Sequence, residues 1–391
     1  MAMIPSAWSL AWTVIYLDCH ATTPVDPRVL DAMLPYLKER FGNPSSRSHR
    51  FGWEADEAVE RARAQVAKLL GADPREIVFT SGASEANNLA LMGLAARRRD
   101  RGNHIVASPV EHPSVREAVE HLAKSGFEAT WLPVDAEGRV RPADVANAIT
   151  EGTILVTVMT ANNEIGAVEP IREIGRIAAE RKVLFHTDAT QGVGKVPFDV
   201  RTDGVHLAAL TAHKIYGPKG CGALYVRQGI DLERQTHGGS QERGLRAGTL
   251  NVPGIVGLGA ACEICRLERE EEGARTAKLR DRLRALLETE DIRVNGPERE
   301  RLPGNLHVSF RGVDAESLML AVPEVAVSSG SACASGSMEI SHVLKAIGMK
   351  PDLARSSIRF GLGRFTTEAE VDEAADRFLA AVRHLRKVAR R

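Results

Sequence analysis

The sequence carries no net charge: lysine plus arginine number 51, aspartate plus glutamate 51, over 391 residues. Without a basic excess there is no sequence-independent attraction to a polyanion, so nucleic-acid binding is not expected and small-molecule chemistry is favoured. Cysteine is scarce and odd in number, at Cys19, Cys221, Cys262, Cys265 and Cys333. That argues against a disulfide framework and for a reducing, cytoplasmic compartment. Residues 1–17 lack charge, but no basic segment precedes their apolar run, which passes straight into the strand-like TVIYLD. Neither a signal peptide nor a membrane span is expected there, and the stretch reads as an N-terminal extension. Internal repeats, low-complexity runs and long linkers are also missing, which leaves a chain long enough for two domains.

What is present is an alternation. Short β-branched runs (EIVFT 76–80, HIVAS 104–108, TILVTVM 153–159, KVLFHTD 182–188, GVHLAAL 204–210) are separated by amphipathic stretches such as WEADEAVERARAQVAKLL 53–70 and IREIGRIAAERK 171–182. Near-continuous apolar strands between helices predict an α/β fold with a mostly parallel sheet covered on both faces. Further on come a charged helical stretch, RLEREEEGARTAKLRDRLRALLE 266–288, then NLHVSF 305–310, EVAVSSG 324–330 and a helical C-terminus. These predict a smaller α+β domain. The expected division is a large domain over 24–262 and a small one from 1–23 and 263–391.

Three features could carry chemistry. EIVFTSGASEANNLA reads as strand, turn and helix, so the turn's N–H groups and the helix's positive end, near Ala83 and Ser84, suit an anion; taken alone, an ordinary turn with Ser84 as N-cap is the favoured reading. HTDATQG places Asp188 just past an apolar strand, where it could hold a protonated ring nitrogen or cap the next segment. TAHKIYGPKG places Lys214 at the next strand's end, where a partly desolvated amine suits Schiff-base chemistry and a plain surface lysine is the alternative. Their order along one sheet edge favours the chemical readings.

Those features resemble fold type I pyridoxal 5′-phosphate (PLP) enzymes, and the finer resemblance is to cysteine desulfurases of the NifS/IscS type, in the class V aminotransferase superfamily. It rests on LDCHATTPVDPRVLDAMLPYL, FGNPSSRSHRFGWEA, EIVFTSGASEANNLA, VEHPSV, NNEIGAVEPI, HTDATQGVGKVPFD, AHKIYGPKGCGALYV, HGGSQERGLRAGTLNVPGIVGLG, SSGSACASGS and SSIRFGLGRFTT, which span about 16–368 in the family's order. The resemblance implies a seven-stranded, mostly parallel sheet in the large domain. It also implies that Lys214 holds PLP as a Schiff base and then shuttles protons, that Asp188 pairs with the pyridinium nitrogen, and that Gln191 bonds the phenolic oxygen. His112 stacks on the ring; its plainer alternative is a helix-capping histidine before Pro113. Ala83, Ser84, Thr211 and His213 cradle the phosphate, joined by Thr249 of a neighbouring subunit, which implies a homodimer with composite sites. Asn163 and Arg359 hold the carboxylate of L-cysteine, the guanidinium through two parallel hydrogen bonds.

Within SSGSACASGS, Cys333 is surrounded by small residues, which fits a thiol on a mobile segment, about 328–340, that takes sulfur at the cofactor and carries it outward. The implied products are L-alanine and a persulfide on Cys333, destined for an acceptor such as an iron–sulfur scaffold protein. No resident metal is expected, only transient ligation of an iron–sulfur cluster by Cys333. Two alternatives are a selenocysteine lyase or other PLP-dependent lyase or transaminase, which need not depend on Cys333, and a non-catalytic scaffold subunit. Cys262 and Cys265 in CEIC fall on one helix face with no further ligands spaced for zinc, and read as helix packing. Cys19 and His20 read as local structure, and HLRKVARR as the solvated end of a helix.

Overall fold

A computed structural model describes residues 14–329 and 340–389. Strand β1 (Ile15–Tyr16) is followed by β2 (Ile77–Thr80), β3 (His104–Ala107), β4 (Glu128–Trp131), β5 (Thr153–Thr157), β6 (Leu184–Asp188), β7 (Leu207–Thr211) and β8 (Gly222–Val226). The last seven form one sheet in the spatial order β2-β8-β7-β6-β5-β3-β4. Strand β8 is antiparallel to both neighbours and the other pairs are parallel.

Strands β2, β3, β5, β7 and β8 are buried along their whole length, because helices cover both faces and leave no solvent side to demand alternation. On one face Val66, Ile174 and Leu258 pack over Phe185 and Tyr225; on the other, Leu89, Leu94 and Val119 pack over Ile105 and Leu224. The expected strands all form. Two more strands complete the sheet: β4, whose sequence EATW lies exposed on the edge, and β8, which extends the sheet beside the turn that follows β7. Helix Arg50–Leu70 buries Ala55, Val59, Ala62 and Val66, one turn apart, and stops at Gly71 in the left-handed region (φ 70°).

Helix Val252–Leu287 runs without a break through the expected boundary at 262/263. Its first half, with Cys262 and Cys265, is buried in the large core; Leu279, Leu283 and Leu287 belong to a second core. The CEIC thiols therefore pack, and no cluster of metal-binding side chains occurs among the described residues. The second core is built on β9 (Ile292–Asn295), β10 (Asn305–Phe310), β11 (Val325–Ala326), β12 (Ser328–Ser329) and β13 (Ser357–Gly361). Four of these form an antiparallel sheet, β12-β13-β10-β9, while β11 pairs in parallel with β1. Phe360 meets Phe378 edge-on at 5.0 Å between ring centres, and Phe310 stacks on Phe378 at 6.2 Å. Among the described residues no helix is long and apolar enough to cross a membrane.

Candidate active site

The carboxyl ends of β2, β6 and β7 open onto a cavity of about 650 Å³. Sheets of this kind place ligands there because the loops leaving parallel strands converge on that edge. The first wall is the turn after β2. Helix Ala83–Arg98 begins with Gly82 at its N-cap and has no side chain capping its first N–H groups. Ser84 lies inside the helix, so it is not the N-cap. Those free donors at the positive end of a helix suit an anion. Gly222 lets β8 approach this turn, since a Cβ there would lie 2.7 Å from the Gly82 Cα.

Asp188 ends β6. Its Oδ2 accepts from Asn87 Nδ2 at 2.9 Å and its Oδ1 from Thr190 N at 3.0 Å. Gln191, one turn on, donates from Nε2 to the His20 carbonyl at 2.9 Å and accepts Lys195 Nζ on Oε1 at 2.7 Å. Lys214 closes the short 3-10 turn Ala212–Lys214 after β7. Its Nζ donates to the carbonyls of His20 (2.6 Å) and Ala21 (2.5 Å). Burial first, then the cations Lys195 and Arg359, pull its pKa down to about 7, so the neutral amine is available near neutral pH. Beside it Thr211 donates to the Cys221 carbonyl at 3.1 Å, and His213 Nδ1 lies 3.1 Å from Thr22 Oγ1. Burial and the neighbouring Lys214 push His213 down to about 4.

The far side comes from the loop after β5 and from β13. Asn162 Oδ1 accepts from the N–H groups of Glu164 and Ile165, at 2.8 and 3.0 Å, a tight turn that presents Asn163 to the cavity. Arg359, buried on β13, donates to the Asn163 carbonyl (3.1 Å), Asp18 Oδ1 (2.8 Å) and Ser328 Oγ (3.1 Å), while its Nε has no partner.

A lysine amine, a carboxylate, a helix-end anion site and a guanidinium therefore share one cavity. The class-V aminotransferase family model matches residues 15–374. The chain is 56% identical to cysteine desulfurase IscS of Anaeromyxobacter sp. (strain K), over 96% of this chain and 94% of that relative. Its fold is similar to that of a NifS-like protein, with a TM-score of 0.88 and 37% identity over 96% of this chain and 99% of the other. A structure titled SspA in complex with cysteine is also similar, with a TM-score of 0.80 and 37% identity over 90% and 100%.

The chain belongs to the cysteine desulfurases.

In this desulfurase most of the residues expected from sequence line the one cavity: Ala83, Ser84, His112, Asn163, Asp188, Gln191, Thr211, His213, Lys214 and Arg359. His112 is also the N-cap of helix Pro113–Lys124, accepting on Nδ1 from Ser114 N, so the capping and the cavity-lining readings hold together. Thr249 is exposed and does not line the cavity of its own chain. Cys333 and most of the expected segment 328–340 lie outside the described residues. Sequence reading missed Asp18, Asn87 and Lys195. Asn87 carried a faint signal, a polar side chain on the otherwise apolar face of its helix. The ion pair of Asp18 with Arg359 and the bond from Lys195 to Gln191 carried none.

Proposed function

We propose that this desulfurase binds PLP in the cavity and uses it to take sulfur from L-cysteine, leaving L-alanine and a persulfide on Cys333. The observation that carries the reading is Lys214, a desolvated amine with its pKa near 7, held by the carbonyls of His20 and Ala21 in the cavity that the Asp188 carboxylate and the uncapped helix end at Ala83 also line. The residues fit the group: free N–H donors for a phosphate, a carboxylate for a ring nitrogen, and an amine for an aldehyde. When bound, PLP supplies an electron sink for the charge left at the substrate α-carbon.

The chain's own residues do the rest. Asp188, held by Asn87 and Thr190, is oriented to keep a ring nitrogen protonated. Gln191 offers its amide N–H to a phenolic oxygen, and His112 covers the ring. Ala83, Ser84, Thr211 and His213 surround the phosphate. Arg359 and Asn163 take the substrate carboxylate. Lys214, neutral near pH 7, removes the α-proton and later returns it.

The sulfur acceptor is a cysteine thiolate. Cys19, Cys221 and Cys265 are buried with thiol pKa values pushed up to about 12, 12 and 11, and burial likewise pushes Cys262 well above the ordinary thiol value. None of the four is a nucleophile near neutral pH, which supports assigning the step to Cys333. From there the sulfur passes to an acceptor protein in the cytoplasm, such as an iron–sulfur scaffold. Thr249, exposed on its own chain, completes the phosphate site of a second copy.

Alanine and sulfide formed from L-cysteine with a thiol reductant test the reading. Cys333→Ala is expected to lose sulfide release while retaining the visible absorption of bound PLP; undiminished turnover would overturn the nucleophile assignment and favour a lyase that needs no protein thiol. Mixing inactive Lys214→Ala and Thr249→Ala chains is expected to restore activity, because one of the two composite sites in the hybrid is intact; no recovery would refute the shared site.

A further inference from the structure

A continuous hydrogen-bonded chain of four side chains joins Asp188 to His112. Asn87 Nδ2 lies 2.9 Å from Asp188 Oδ2 and 2.9 Å from Ser114 Oγ, and Ser114 Oγ lies 2.9 Å from His112 Nδ1. The direction of each bond follows by elimination. A carboxylate accepts, so Asn87 turns its amide nitrogen toward Asp188 and uses its two hydrogens on Asp188 and Ser114. Ser114 Oγ therefore accepts from Asn87 and has its own proton left for His112 Nδ1. A second, independent donor reaches the same nitrogen: the backbone N–H of Ser114, which can only donate, at 3.2 Å. Asn87 Oδ1 is buried without a partner, so the amide is turned wholly to the service of these two acceptors. A neutral imidazole has one proton, and with Nδ1 accepting, that proton sits on Nε2.

We propose that Asn87 and Ser114 are positioning residues that lock His112 in its Nε2–H tautomer, so that the nitrogen free of the wall is a hydrogen-bond donor to the cavity. The proposal rests on the cavity being the active site. It gives His112 a specific capability, donation to a lone-pair-bearing atom such as the substrate sulfur, and denies it the role of base at that nitrogen. The ionisable groups nearest the ring are Asp188, Lys214, Glu117 and His342; burial outweighs the carboxylates and holds the imidazole below its ordinary pKa. Protonation would have to occur at Nδ1, against the two donors of Ser114. The Ser114 hydroxyl is not required to start the helix, because its backbone N–H already makes the cap.

The test is 15N NMR of the full-length enzyme labelled at histidine, with His112→Gln used for assignment, alongside the pH profile of kcat/KM for L-cysteine. The wild type is expected to show a protonated Nε2 and an unprotonated Nδ1. Ser114→Ala removes one of the two donors that favour the neutral form and leaves only the longer backbone bond, so the share of the Nδ1–H tautomer should rise and the ring should protonate at higher pH. Its kcat/KM should fall about tenfold with KM little changed. Ser114→Thr keeps the hydroxyl and should restore all of these. Asn87→Ala breaks the chain one step earlier and should move the tautomer in the same direction, which keeps the proposal testable if one variant fails to fold. A wild-type ring carrying its proton on Nδ1, or a Ser114→Ala enzyme with unaltered tautomer and pH profile, overturns the proposal. The tautomer is read without turnover, so an Nε2–H ring in an enzyme inactive on cysteine would support the lock while refuting the proposed activity.

Discussion

Arg359 and Asp18 lie 341 positions apart and meet at 2.8 Å, Arg359 lining the cavity and Asp18 lying behind that lining. The pair holds a buried guanidinium with one edge on Asp18 and Ser328, one nitrogen on the Asn163 carbonyl, and Nε unpaired. An anchored, partly unsatisfied guanidinium is prepared for a second carboxylate.

Lysine at that position would keep the charge but lose the planar fork. Arg359→Lys is therefore expected to raise KM for L-cysteine by about tenfold or more, with the visible absorption of bound PLP retained. Steady-state kinetics with a parallel absorption spectrum check both halves.

Lys214→Met is expected to abolish the Schiff-base absorption on adding PLP and to cut alanine formation by about a thousandfold or more. It should also change pH dependence in the cofactor-free chain. The folded amine titrates at about 7 against an ordinary 10.5, so from pH 7 to 10.5 the unfolded chain binds the extra proton and this group makes stability rise with pH. Denaturation midpoints across that window should rise less steeply in the variant.

Glu169 gives the opposite sign. Buried with Oε1 unpartnered, it is pushed up to about 8 by burial, and its other oxygen accepts from Val140 N at 2.9 Å. Between pH 4.5 and 8 the folded state keeps a proton that the unfolded state has released, so this group makes stability fall as pH rises. Glu169→Gln keeps the bond to Val140 and removes the titration; its stability should decline less over that range in urea unfolding.

Gly222→Ala places a methyl group 2.6 Å from the Leu210 carbonyl oxygen and 2.7 Å from the Gly82 Cα. Relieving that overlap must shift the anion-binding turn or strand β8, at a cost of about 1–3 kcal/mol. The expected result is PLP affinity weakened about tenfold, measured by titrating the cofactor into apoenzyme. Unchanged affinity would show either that strand β8 absorbs the shift or that the turn does not hold the phosphate, and Gly82 amide chemical shifts in the variant separate the two.

Much of the molecule was legible in advance. Apolar runs such as TILVT and LAALT can be satisfied only by burial on both faces, so the parallel sheet followed from composition along the chain. Strand β4 escaped notice because EATW, on an exposed edge, carries no such demand, and β8 because GALYV lies so close to the motif around Lys214. The long helix Val252–Leu287 read as two pieces, since its buried face changes as it passes from one core to the other.

The sequence by itself determined which chemical groups exist and the order of the strands that deliver them: a strand–turn–helix at Ala83, an acid at Asp188 and an amine at Lys214, each set by local strand and turn signals. Only the tertiary structure decided how those groups are tuned. The lowered pKa of Lys214 comes from burial beside Lys195 and Arg359, the aim of Arg359 from Asp18, and the tautomer of His112 from Asn87 and Ser114. Desolvation and hydrogen-bond direction depend on atoms brought together from distant parts of the chain, and such contacts leave no periodic trace in the residues that make them.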